Sequence, residues 1–493
     1  MNNLVILPMI IPLLTGIILV IFRRNIPFQR WISLFAILST AAAAIYLLQM
    51  ISRYGIQVLE IGGWEAPYGI VLVADMFAGL LILTTSIVSA GCLLFAIATV
   101  DLEREKFYFY PFMLFLVTGV NGSFLTGDLF NLFVCFEVML ISSYVLISFG
   151  GTKVQFRESI KYVLINVISS TLFLLGIGYL YAVTGTLNMA HLSVLIAETG
   201  QSSLLTTVAI LFLVVFSLKS ALFLYFWLPG AYSAPPTAVA AIFGALLTKV
   251  GIYALFRVFT LIFYHHPEIT HLLLAVMAAL TMLLGGIGAV SQWDIRKIIA
   301  YNVIIAVGFI VSGLAVFTST AMVGAIYYLI HDIIVKGLLF LLGGVMIGIA
   351  GTSKLKEMSG LIRNHPLLGW MFFIAVLALA GIPPLSGFAG KVLMTRGILE
   401  AEFYWLAAIG LLSSLMVLYS VMKIFVSGFW GPTYLRSEQE KGTTSGLLFP
   451  CMFLTAVSVG LGLGVEGIHY YVEYAANGLM NPDIYIKAVL KGS

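Results

Sequence analysis

The sequence predicts an all-α polytopic membrane protein. Three observations carry that prediction: a shortage of charge, a succession of long apolar stretches, and basic residues gathered in alternate loops. Of 493 residues, 61% are hydrophobic and only 9% charged, where a soluble domain carries about 25% charged residues. The shortage excludes a soluble enzyme, a nucleic-acid binder and a disordered scaffold. The net charge of +4 therefore reports orientation in a bilayer, not an anionic partner. Cys92, Cys135 and Cys451 lie apart inside apolar runs. Such spacing suits neither a disulfide framework nor a metal or iron–sulfur site, so they read as small hydrophobes, and no metal site or cofactor is expected.

A hydrocarbon core about 30 Å thick requires about 20 mostly apolar residues per helix. Fourteen segments meet that need: 4–22, 31–50, 71–99, 107–125, 129–149, 161–181, 204–228, 237–263, 272–290, 298–317, 321–350, 367–399, 403–430 and 447–465. The first is not a cleavable signal, because Arg23 and Arg24 follow the apolar stretch instead of preceding it. Numbering the loops alternately places sixteen basic residues on one side: Arg23, Arg24, Arg30, Arg104, Lys106, Lys153, Arg157, Lys161, Arg296, Lys297, Lys354, Lys356, Arg363, Lys423, Arg436 and Lys441. The other side holds five: Arg53, Arg257, Arg396, Lys487 and Lys491. By the positive-inside rule the first set faces the cytoplasm and both termini lie outside. Between spans, 56–64 alternates as a short outer hairpin would, 187–198 reads as a short surface helix with Asn188 near its start, and the chain after residue 465 reads as an outer tail.

Four basic residues remain inside spans: Lys219, Lys249, Lys336 and Lys391. Glu137 is the clear carboxylate at comparable depth, and Asp332 joins it in the eleventh span beside His331. Each charge at mid-bilayer costs about 2.5–3.5 kcal/mol on insertion scales. Structural ion pairs or snorkelling are the plain explanations, but Glu137 with one lysine leaves three lysines over. Protonatable groups lining a proton pathway account for them all. Lysine suits such a task, since burial disfavours its charged form while arginine keeps its proton. Asp332 and Lys336, four residues apart, share one helix face and can pair. His331 titrates near neutral pH and serves either as a relay or as a helix–helix hydrogen bond.

Two spans contain helix-breaking clusters, FWLPGAYSAPP with Pro229, Pro235 and Pro236 in the seventh and GIPPLSGFAGK with Pro383 and Pro384 in the twelfth. Proline removes a backbone donor and clashes with the preceding turn. Freed backbone groups at membrane depth are tolerated only inside protein or against water. A packing kink is the alternative, yet Lys219 and Lys391 accompany the two breaks. Five spans separate the breaks, so they run in opposite directions. That predicts two inverted five-helix repeats, spans four to eight and nine to thirteen. The chain accordingly divides into 1–106 (spans one to three), 107–263 and 264–430 (the repeats), and 431–493 (last span and outer tail).

The glutamate in FNLFVCFEVMLISSYVL, the lysines in SLKSALFLYFWLPGAYSAPPTAVAA and GALLTKVGIYALFR, the HDIIVKGLLFLLGG stretch and GIPPLSGFAGK together resemble the antiporter-like membrane subunits. That superfamily contains the proton-pumping arm of respiratory complex I and the Mrp-type multisubunit sodium/proton antiporters. The resemblance spans nearly the whole chain and keeps the motifs in order. It implies that Glu137 and Lys219 are the paired proton-channel residues, Lys249 the connecting lysine, and Lys336 and Lys391 the second half-channel. The lysine in GIPPLSGFAGK and the length are most similar to the D-type branch of the Mrp antiporters. The resemblance further implies other membrane subunits as partners, protons and sodium as transported ions, and a bacterial cell membrane as location. The alternative it leaves open is a proton-pumping subunit of an NADH:quinone oxidoreductase. A third possibility, a structural scaffold with vestigial ion pairs, needs no transport at all.

Sodium prefers several oxygen ligands, carboxylates above all, whereas lysine repels it. The chain is therefore expected to move protons, with sodium held largely on partner chains. In a sodium titration of Glu137 variants, proton conduction should change while sodium affinity does not. The reverse result would sink that expectation.

Overall fold

A computed structural model describes residues 3–432 and 440–491. Arg436, counted above among the basic loop residues, lies outside them. The chain is an all-α membrane fold, and each of the fourteen segments contains a helix. Among the described residues eleven helices are long and apolar enough to cross a membrane: Asn3–Ile21, Ile26–Tyr54, Met76–Thr99, Leu129–Ser148, Lys153–Thr184, Ser203–Ser220, Thr237–Leu261, Pro267–Ser291, Ile295–Val316, Ser319–Ala350 and Tyr404–Phe429. The pair Leu448–Leu463 and Val465–Met480, bent by 80°, makes a twelfth if counted as one span. Phe109–Leu125 and Pro366–Ala380 are shorter apolar helices in the two remaining segments.

Three local readings change. The stretch at 56–64 does form a strand, Gln57–Glu60, but its antiparallel partner is Val71–Ala74, taken above as the start of the third span. The run VLVA is apolar at every position, and such a run does not distinguish strand from helix. Asp75 sets the true boundary: its carboxylate caps the third helix by accepting from Ala78 N at 2.8 Å. The short helix Met189–Thr199 is capped by Asn188 as its sequence suggests. It is not a surface helix, since Met189, Ala190, Leu192 and Ile196 are buried and Ser193 donates to the Leu261 carbonyl at 2.6 Å. The chain after residue 465 is helical, Val465–Met480 and Pro482–Val489, and buries Val472, Tyr485 and Val489.

The eighth span, Thr237–Leu261, is enclosed by protein along its length, and the tenth and eleventh, Ile295–Val316 and Ser319–Ala350, nearly so. A helix buried on all sides must be apolar nearly all round, so polar groups there face protein and have no route to the lipid interface. The half-helix Gly387–Glu400 packs on the eleventh span through glycines. A Cβ on Gly390 would lie 2.9 Å from Tyr328 Cβ, and one on Gly397 would collide with the Ala321 backbone. Small residues at such positions let helix backbones approach in a membrane.

Two residues assigned above to loops are buried inside helices. Arg257 reaches Asp75 at 2.5 Å, bonds Tyr253 and stacks 4.9 Å from the Tyr485 ring centroid. Lys423 donates to the carbonyls of Val290 and Gln292 at 2.7 and 2.6 Å, under the Trp293 ring. An apolar stretch with one cation near its end reads equally well as span or as loop, and only the buried partner decides. Removing both leaves fifteen basic residues on one side against four.

Breaking a buried pair by deleting one partner costs about 3–5 kcal/mol. Arg257→Met should therefore lower the thermal unfolding temperature of the purified protein markedly, and adding Asp75→Asn should recover part of the loss. A wild-type melting curve for Arg257→Met would show that the pair contributes nothing.

Candidate functional site

Lys219 lies one residue from the end of Ser203–Ser220, where Ala221 and Phe223 take left-handed backbone conformations (φ 62° and 60°). An L-residue there costs about 1–2 kcal/mol and is held by its surroundings: Trp227 Nε1 donates to the Leu218 carbonyl at 3.2 Å, and Phe223 N to Thr281 Oγ1 at 2.7 Å. The seventh-span break thus falls at 221–227, ahead of its prolines. Pro229 sits in the first turn of the next short helix, Leu228–Ser233, and Pro235 and Pro236 precede Thr237–Ile242. Proline begins these helices, where its missing donor matters least.

The buried Lys219 ammonium donates to Ser170 Oγ at 2.8 Å, and Ser170 donates in turn to Glu137. The expected pairing of Glu137 with Lys219 is therefore indirect, through one hydroxyl from the sixth span. Lys219 also lies over the Phe136 ring, 5.3 Å from its centroid.

Lys249 belongs to a second cluster. Its ammonium is 2.8 Å from Asp332 and donates to the Gly244 carbonyl, also at 2.8 Å, within the π-helical turn Phe243–Leu247. Asp332 contacts Lys336 at 3.3 Å across one helical turn. One carboxylate thus lies between two ammonium groups, all three fully buried. Glu137 and Asp332 together serve three of the four lysines of the spans, as the pairing of Asp332 with Lys336 leads one to expect. The π-turn was not legible, because GALLTKVG differs in no visible way from an ordinary helical stretch; such turns are frequent at functional sites.

His331 forms a third group. Its Nδ1 bonds Ser386 Oγ at 2.7 Å, Ser386 bonds Ser458 Oγ of the last span at 3.1 Å, and the buried Nε2 has no partner among the described residues. Ser386 lies in the interruption of the twelfth span between Pro366–Ala380 and Gly387–Glu400, which also contains Pro383 and Pro384. A Cβ on Gly387 would lie 3.0 Å from His331 Nε2 and collide with the Ala378 carbonyl, so only glycine fits. Lys391 donates to the carbonyl of Ala380, the last residue of the first half-helix, at 2.9 Å. A cation at a helix C-terminus is favoured by the backbone dipole. Lys391 also lines a cavity of about 710 Å³ together with Arg396 and Glu400.

Sequence reasoning missed Ser170, Ser386 and Ser458. Serine is common within membrane helices and usually bonds its own backbone one turn back, so a bridging hydroxyl carries no separate sequence signal. Together the groups form buried sets in which an ammonium, a carboxylate or a hydroxyl can pass a proton to the next. Among the described residues no group of three or more His, Cys, Asp or Glu is placed to hold a metal.

The profile of the family described as NADH:quinone oxidoreductase/Mrp antiporter, TM, matches residues 126–417, a range that contains every lysine and acid named in these sets. The chain is 52% identical over 492 residues to the D-type subunit of the Na(+)/H(+) antiporter of Alkalihalophilus pseudofirmus, and 51% identical over 498 residues to that of Bacillus subtilis. Both alignments cover the whole of each chain. A chain in the structure of the Mrp complex from Dietzia sp. DQ12-45-1b superposes with a TM-score of 0.92 at 30% identity, covering 99% of this chain and 100% of that one.

A hydrogen bond to a charged group contributes about 1.5–3 kcal/mol. If Ser170 links Lys219 to Glu137, Ser170→Ala should slow transport about ten- to hundredfold in a vesicle assay, with the protein still assembled. An unchanged rate would remove Ser170 from the path.

Proposed function

The chain belongs to the NADH:quinone oxidoreductase/Mrp antiporter family, and on that premise we propose that it is the D-type, proton-translocating membrane subunit of a multisubunit Na+/H+ antiporter. It is a transporter subunit and not an enzyme, embedded as a multi-pass protein. Other membrane subunits are its partners, as the likeness to a chain of the Mrp complex supports. It works by secondary active transport in the bacterial cell membrane, with the basic loops in the cytoplasm and both termini outside. Sodium is coordinated largely on partner chains.

The observation that carries the proton-translocating role is the Lys219–Ser170–Glu137 link. A protonated Lys219 is stabilised by Glu137 through the serine. When Lys219 gives up its proton, that stabilisation ends and Glu137 accepts a proton more readily. Charges about 5 Å apart at an effective dielectric of about 20 interact by about 3 kcal/mol, enough to drive such an exchange. Lys249, Asp332 and Lys336 pass the disturbance inward: two ammonium groups compete for one carboxylate, so an added proton on one weakens the other's hold. Lys391, at the end of a half-helix and beside an open cavity, is the far end of the file, and His331 with Ser386 lies beside it as a further relay.

Membrane vesicles containing the chain with its partners test this reading. Lys219→Ala should abolish proton-coupled sodium movement without loss of assembly, and full activity would favour a structural scaffold instead. Co-purifying chains separate the remaining alternative. Small membrane-only partners are expected, and flavin- and iron–sulfur-bearing partners would point to the oxidoreductase.

A further inference from the structure

On the side of the basic loops a cavity of about 340 Å³ opens beside the seventh-span break, and Arg157, Glu158, Lys161, Ser233, Lys297 and Tyr301 are among its lining residues. Glu158 is its acid. Only 6% exposed, it accepts from Arg157 Nε at 2.8 Å and from Lys161 Nζ at 3.3 Å. Its other oxygen lies so close to Gly230 that a Cβ there would collide with it. The seventh-span side of the cavity adds only Phe226, Pro229, Gly230 and Ser233, and the tenth span adds Lys297 and Tyr301.

Glu158 also begins a stripe of buried polar side chains on the sixth-span helix, Lys153–Thr184: Glu158, Tyr162, Asn166 and Ser170. Four residues of helix rise about 6 Å, so the stripe covers about 18 Å and winds slowly about the axis. It ends at the hydroxyl that joins Glu137 to Lys219. Midway, the Tyr162 hydroxyl shares a hydrogen bond with Ser143 at 2.9 Å, and the Tyr144 ring stands edge-on to Tyr162 with 5.6 Å between centroids. The buried Tyr144 hydroxyl and Ser159 Oγ have no partner among the described residues. Buried polar groups left unpaired are ordinarily satisfied by internal water, and one water spans a gap of about 6 Å between two polar groups.

We propose that Glu158 is the proton-collecting group of this vestibule, and that the Tyr162 and Ser170 hydroxyls, with water held beside Asn166, carry protons from it to Glu137. The inference rests on the proton-translocating reading above. A hydronium ion gives its proton to the Glu158 carboxylate, forming an O–H bond and leaving water. The carboxyl passes that proton to water in the stripe and returns to carboxylate. Each hydroxyl or water takes one proton as it releases another, and Glu137 receives the last, so no atom or charge is left along the way. The same geometry discriminates between cations. Sodium needs several oxygen ligands and meets one carboxylate already bonded to two cations, with Lys297 beside them. A proton needs a single lone pair.

The test uses the complete antiporter complex in everted vesicles loaded with sodium, so that sodium leaving draws protons in from the basic-loop side, with the rate read against pH on that side. Glu158→Gln should assemble, lose about tenfold or more of the maximal rate, and shift its profile toward lower pH, where protons are plentiful. Glu158→Asp should retain most of the rate. A wild-type rate and pH profile for Glu158→Gln, with Lys219→Ala inactive, overturns this inference alone; an active Lys219→Ala overturns the function reading itself. If the glutamine variant does not assemble, Tyr162→Phe decides, since it keeps the ring packing and removes the hydroxyl. A slowed Tyr162→Phe supports the stripe, and a wild-type rate overturns it.

Discussion

Buried cations need partners, and in this molecule the partners come from far along the chain. An ammonium or guanidinium group enclosed by protein at membrane depth cannot reach water, so it must find a carboxylate, a hydroxyl or a free carbonyl. Arg257 finds Asp75, and Lys249 finds Asp332. Lys219 reaches Glu137 through Ser170. Lys391 and Lys423 find carbonyls at helix ends. The contacts of Arg257, Lys249 and Lys423 tie together helices that are not neighbours in sequence, and the Lys219–Ser170–Glu137 link joins three consecutive spans, so the electrostatic constraint also fixes how the spans are arranged.

The interruptions in the helices follow from the same need. The π-turn at Phe243–Leu247 offers the Gly244 carbonyl to Lys249. The break after Ala380 offers its carbonyl to Lys391 and brings Ser386 to His331. A continuous helix has its interior carbonyls bonded to its own amides and would leave these cations less well held. The π-turn is enclosed by protein at every residue, where membrane depth permits irregular backbone.

Much of this was legible in the sequence for a physical reason. Apolar composition costs nothing to read, and a lysine in an apolar run is so expensive that Lys219, Lys249, Lys336 and Lys391 stand out singly. The spacing of Asp332 and Lys336 gave their contact directly. What stayed hidden depends on tertiary neighbours. Asp75 draws no notice near the start of the third apolar segment and Arg257 reads as a loop cation, and only packing brings them together. Ser170 is one serine among many in apolar helices, and its role appears only when Glu137 and Lys219 lie on either side of it. The seventh-span break was placed at its prolines, whereas the left-handed Ala221 and Phe223 carry it, and alanine and phenylalanine give no sequence sign of that conformation. Glu158 sits among loop cations at the end of a long helix, and its position at the foot of a polar stripe emerges only from the burial of Tyr162, Asn166 and Ser170.

The central claim is that the lysines give up protons and do not merely neutralise acids. Lys219→Arg separates the two most directly, because arginine keeps the positive charge and the pairing but holds its proton. Proton-coupled transport by the intact complex, measured alongside its assembly, is predicted to be lost in this variant while the complex still forms. Wild-type transport with arginine at position 219 would contradict the account and leave the buried charges as structural pairs.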